Sequence, residues 1–182
     1  MALTVLISHD TEYTSCDVIT VLITVNTEPG AAMNIIECDV RDVIFGENVT
    51  IIRPVNIYGC EVGNNVFIGP FVEIQKGCVV GHGSRIQSHT FICENVTLGF
   101  HCFIGHNVTF ANDLFRSGAP DPSPENWLTI TLGNDVTVGS GATILCSFIC
   151  SGTVIGAGAV VVKPIDIKGI YVGNPARLIR RL

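Results

Sequence analysis

Between residues 62 and 110 a large apolar residue stands at every sixth position: Val62, Ile68, Ile74, Val80, Ile86, Ile92, Leu98, Ile104 and Phe110. Four residues after each of the first eight comes a smaller one: Val66, Val72, Cys78, Ser84, Thr90, Val96, Cys102 and Val108. Gly63, Gly69, Gly81, Gly99 and Gly105 directly follow a large residue. Neither the 3.6-residue period of a helix nor the two-residue period of an ordinary strand gives this pattern. Six residues supply one short strand and one turn, with the large side chain pointing inward. Three such units close a triangular coil of about 18 residues, and coils stack as a solenoid. The expected class is therefore all-β.

The repeat opens at Phe45, Ile51 and Ile57, with Val49 and Val55 in the small slot and one residue dropped before Val62. It resumes at Leu132, Val138 and Ile144 and, after a second shortened step, at Ile149, Ile155 and Val161. The spacing predicts a β-solenoid over residues 33–174. Residues 112–127 interrupt it with three prolines and a glycine, which predicts a projecting loop. A long loop inside a compact domain usually carries function. Asn174-Pro175 reads as a helix start, so residues 175–182 are expected to form a short helix covering the open end of the last coil. Residues 1–32 do not follow the repeat; their Thr/Val/Ile alternation is a weak strand signal in an extension with no assigned function.

Residues about 18 apart stack, so the strands at Ile68, Ile86, Ile104, Val138 and Ile155 should share one face. The turns that follow them hold Pro70-Phe71, Ser88-His89, His106-Asn107, Ser140-Gly141 and Ala157-Gly158. One ridge thus carries two histidines, His89 and His106, and beyond the loop only small residues: Ser140, Gly141 and Ala142, then Ala157, Gly158 and Ala159. Small residues let a ligand lie against backbone N–H groups, and turns also favour Gly and Ser for their own geometry.

Hydrophobic residues make up 47% of the 182 and charged residues only 14%, which fits a long core or surfaces covered by partner subunits. Residues 18–25 form a short apolar patch broken by Thr20 and Thr24, with no basic leader before it. Neither a membrane span nor a secretory signal is expected. The net charge of −6 argues against a general nucleic-acid binder. Five of the ten basic residues nevertheless fall in the last twenty positions: Lys163, Lys168, Arg177, Arg180 and Arg181. They fit either a solvated tail or a site for phosphates. The eight cysteines include no Cys-x-x-Cys pair and read mostly as reduced core residues of a cytoplasmic protein.

The sixfold pattern resembles the hexapeptide-repeat family, whose fold is the left-handed parallel β-helix. The closing Tyr171-Val172-Gly173-Asn174-Pro175-Ala176-Arg177 looks like the usual end of its acyltransferases. The stretches 86–94, 103–106 and 112–115 look like the branch that acetylates the amino group of nucleotide-linked amino sugars for bacterial surface polysaccharide. The resemblance implies a homotrimer with sites between subunits, and acetyl-CoA as co-substrate lying along the ridge. Ser140, Gly141, Ala142, Ala157, Gly158 and Ala159 would face its pantetheine arm. Lys163 and Arg177, with Arg180 and Arg181, would meet its phosphates. It further implies His89 as base or amine-orienting group, with His106 able to share that role, and Asn112 and Asp113 on the acceptor. Backbone N–H groups between residues 140 and 142 would polarise the thioester carbonyl. Trp127 either packs the loop down or stacks on the acceptor.

Other family members that act on hydroxyls place a histidine where the loop begins. Here that stretch reads Phe110-Ala111-Asn112-Asp113-Leu114-Phe115. An amine needs less help from a base, so the departure suits an amine acceptor, with O-acetylation of a sugar as the alternative. His101 and His106 also show the spacing of γ-type carbonic anhydrase, but Asn65 stands where the third metal ligand belongs, and no metal is expected. A non-enzymatic assembly solenoid is the remaining alternative.

Overall fold

The computed structural model describes residues 39–182, and the extension at 1–32 together with residues 33–38 lies outside them. Within the described residues the chain winds through three sheets of seven, six and eight strands, parallel throughout except for the terminal strand of the third. Successive strands visit the first, second and third sheet in turn, so each pairs with the strand one coil away. Ile68, Ile86, Ile104, Val138 and Ile155 form one continuous ladder in the third sheet. This is the left-handed parallel β-helix expected from the period of six.

The inward positions are those the pattern assigns. Val62 to Phe110, taken in sixes, are at most 2% exposed, and Leu132, Val138, Ile144, Ile149, Ile155 and Val161 are equally buried. The small slot is buried too, including its polar members. Ser84 Oγ donates to Gly99 O and Thr90 Oγ1 donates to Gly105 O, so neither hydroxyl is left unpaired inside. Phe45, in the first coil, is 39% exposed because no described coil lies below it. The glycine after a large residue allows close stacking. A Cβ on Gly139 would sit 2.5 Å from Ala157 N on the next coil.

The chain end departs from expectation. Arg177–Arg181 is a strand, antiparallel to Gly169–Val172, and not a helix. Gly173, with φ of 92°, reverses the chain, so Asn174-Pro175 sits in a hairpin turn rather than at a helix start. A helix this short is marginal in water. The strand instead satisfies backbone groups along the open edge of the third sheet, the same protection of that edge by other means. Among the described residues no helix is long and apolar enough to cross a membrane.

All six described cysteines are free, and Cys60, Cys78, Cys93, Cys102 and Cys146 are buried. Burial pushes the thiols of Cys60 and Cys93 up to about 12, and those of Cys78 and Cys146 up to about 11. These thiols keep their protons in the folded chain at pH values where the unfolded chain, titrating near 9.0, has begun to lose them. Stability from this source is complete below pH 9 and is lost as pH rises from 9 toward 12. The melting temperature should therefore fall above pH 9, and less steeply in Cys60→Ala than in the parent. Parallel slopes for the two proteins would refute this cause.

Candidate active site

The three sheets meet at three corners, and the turns from the third sheet back to the first form the ridge expected from the sequence. Ladder hydrogen bonds set its register: His89 N to Pro70 O, Asn107 N to Ser88 O, Gly141 N to His106 O and Gly158 N to Ser140 O. Two columns result. Ser88, His106, Ser140 and Ala157 occupy the first turn position. Phe71, His89, Asn107, Gly141 and Gly158 occupy the second, all with positive φ.

In the first column Ser88 Oγ lies 2.9 Å from His106 Nδ1, and Ser140 Oγ accepts the backbone N–H of His106 at 3.1 Å. With Nδ1–H donating to Ser88, the lone pair sits on Nε2, the arrangement a base requires. His89 is used differently: its ring stacks on Phe71, centroids 4.7 Å apart. The two histidines share the ridge but belong to adjacent columns.

Beyond His106 the second column is bare. A Cβ added at Gly141 or Gly158 would meet nothing within 4 Å, so the ridge there is a ledge of exposed backbone. Ala142 and Ala159 are not part of it. Both are fully buried because they fill the small inward slot that Val72, Thr90 and Val108 fill elsewhere, and a ligand cannot reach their side chains. Nor are all three N–H groups between 140 and 142 available. Gly141 N–H donates to His106 O and Ala142 N–H to Gly139 O. Ser140 N–H carries no hydrogen bond among the described residues and is the donor left over.

Arg177 follows the last turn of the ridge, where Ala176 N–H donates to Val160 O. Lys163 lies elsewhere: it follows Val160–Val161 in the first sheet, on the corner that also carries the loop. The sequence reading grouped Lys163 with Arg177 by nearness in the chain, but the corner between them separates the two.

The loop leaves after Thr109–Phe110 and returns at Ile130–Leu132, with a 3-10 turn at Pro124–Asn126. Asn112 Nδ2 donates to Glu94 O at the loop's root. Asp113 accepts Phe115 N–H on Oδ1 and Asp121 N–H on Oδ2, so its carboxylate shapes the loop. Trp127 Nε1 donates to Asp121 O, packing the loop down. Asn112, Asp113, Arg116 and Trp127 line a hollow of about 360 Å³. Within one chain this hollow and the histidine ridge stand on different corners.

His101 belongs to the corner between the second and third sheets and pairs with Asp135 at 3.6 Å, whereas His106 is on the ridge. Among the described residues no three His, Cys, Asp or Glu side chains gather as metal ligands. The Ser88–His106 contact went unread in the sequence, although the spacing of 18 between them was its signal.

Fold and ridge together define a left-handed parallel β-helix built on a six-residue repeat. Residues 59–94 match the family described as bacterial transferase hexapeptide (six repeats). The chain is 29% identical over 126 residues, 68% of its own length, to the candidate acetyltransferase YJL218W of Saccharomyces cerevisiae, of which it covers 59%. It is 32% identical over 117 residues to serine acetyltransferase of Synechococcus elongatus, covering 64% of this chain and 43% of that one. It thus spans less than two thirds of these relatives. A crystal structure of a variant of AntD, an N-acyltransferase from Bacillus cereus in complex with dTDP and coenzyme A, shares the fold. Its TM-score is 0.66 at 24% identity, over 75% of this chain and 82% of that one.

Proposed function

We propose that the protein is a cytoplasmic acetyl-CoA-dependent N-acetyltransferase acting on the amino group of a nucleotide-linked amino sugar. The observation that carries this reading is the meeting, on one ridge, of the Ser88–His106 pair with the bare ledge at Gly141 and Gly158. The acetyltransferase relatives support the acyl donor, and the N-acyltransferase bound to dTDP and coenzyme A supports both the donor and a nucleotide-linked acceptor.

The pantetheine arm lies along Gly141 and Gly158, with Arg177 toward the phosphates. The acceptor amine attacks the thioester carbonyl. A C–N bond forms, the C–S bond breaks, and the amine proton passes to His106 Nε2 and then to the departing sulfur. Ser140 N–H is the donor for the oxyanion. The loop hollow and the ridge occupy separate corners, so Asn112 and Asp113 of one subunit serve the ridge of its neighbour in a homotrimer.

The test is thiol release from acetyl-CoA in the presence of a panel of nucleotide-linked amino sugars and their hydroxyl counterparts. Release with an amino sugar, yielding the N-acetyl product, is expected. Release only with the hydroxyl compounds would replace this reading with O-acetylation.

A further inference from the structure

Ten non-glycine residues among those described have positive φ, and eight of them are Asp, Asn or His, which tolerate the left-handed region best. Phe71 and Phe115 are the exceptions. Phe71 has φ of 59° and is 56% exposed on the ridge. Its turn does not require a side chain, since Gly141 and Gly158 fill the equivalent position further along. Nor does the side chain hold the turn, whose N–H donates to Pro54 O. A bulky ring is therefore kept in a backbone conformation that glycine adopts freely, and it is left facing water. Such outliers concentrate where a ligand is gripped.

The next coil completes the picture. His89 stacks on the Phe71 ring with 26° between the planes. His89 directly follows Ser88, whose hydroxyl lies 2.9 Å from His106 Nδ1. An amine on a hexose is one bond from the ring. With the glycine ledge taken by the pantetheine arm, an acceptor whose amine reaches His106 is left the opposite side of that residue, where His89 stands one coil and Phe71 two coils away, ~4.8 Å per coil. The Phe71–His89 stack lies on that side of His106, opposite the glycine ledge. An aromatic face complements the apolar C–H face of a sugar ring.

We propose that the Phe71–His89 stack seats the sugar ring of the acceptor and makes Phe71 a specificity-determining residue. The inference rests on the N-acetyltransferase reading above. It assigns Phe71 to the sugar and not to the nucleotide.

The test uses full-length wild type, Phe71→Gly and Phe71→Tyr, with two probes in calorimetry: the dTDP-linked amino sugar that the wild type turns over best, and dTDP alone. Phe71→Gly is expected to bind the amino sugar at least tenfold more weakly and to raise its KM correspondingly. Its affinity for dTDP and its KM for acetyl-CoA should stay within twofold. It should melt at or above the wild-type temperature, because glycine relaxes the positive φ. Phe71→Tyr should keep wild-type sugar affinity. Unchanged sugar affinity in Phe71→Gly overturns the proposal. So does an equal loss for dTDP, which would place the base on the ring, or a fall in assembled mass, which would make Phe71 a subunit contact. Failure of the wild type to acetylate any amino sugar removes both readings. Turnover by the wild type with undiminished sugar binding by Phe71→Gly removes this one alone.

Discussion

His106→Ala is expected to lower turnover by about 10²- to 10⁴-fold, the usual contribution of a positioned acid–base group. The side chain is exposed and its one side-chain hydrogen bond among the described residues is with Ser88, so stability should change by no more than about 0.5 kcal/mol. Ser88→Ala should give a smaller loss, because it frees the imidazole to rotate without removing it. His89→Ala should act mainly on the acceptor KM, since its ring stacks on Phe71 rather than pairing with the Ser88 hydroxyl. Kinetics with saturating acetyl-CoA separate these cases. Full turnover in His106→Ala would exclude that imidazole from the chemistry and return attention to His89.

Phe110→Ala is expected to cost about 3–5 kcal/mol. Phe110 is the largest fully buried side chain among the described residues and the last inward residue before the chain leaves the solenoid as the loop. Its strand pairs in register with Thr143–Ile144 across that excursion. Each coil contacts only its neighbours, so a cavity here weakens the junction between the coils before the loop and those after it. The loop should become sensitive to protease at denaturant concentrations that leave the parent intact. Urea unfolding measures the first effect and limited proteolysis the second. A cost below about 1 kcal/mol would mean that this slot is not filled as tightly as its burial implies.

The solenoid was legible because its two inward sets repeat without a helical or strand alternative, and the 18-residue spacing correctly put Ser88-His89 and His106-Asn107 on one ridge. What the period could not resolve was the second level of the turn. Position within a turn decides whether a side chain faces out, as at Ser140, or fills the core, as at Ala142. Small size alone suggested a ledge at both. Lys163 stands on a different corner of its own chain from Arg177, because nearness along the chain ignores the turns between them. The terminal strand was misread because Asn-Pro serves a hairpin turn as well as a helix start, and the open sheet edge decided between them. The spacing of 18 brings Ser88 next to His106, but whether their side chains meet depends on rotamers, which spacing does not specify.

The most direct measurement is a structure determined with coenzyme A bound. The pantetheine arm should lie over Gly141 and Gly158, with its sulfur beside His106 Nε2 and Ser140 N–H. Coenzyme A seated on another corner, or on the ridge with its sulfur away from His106, would contradict the assignment of this ridge as the line of acyl transfer.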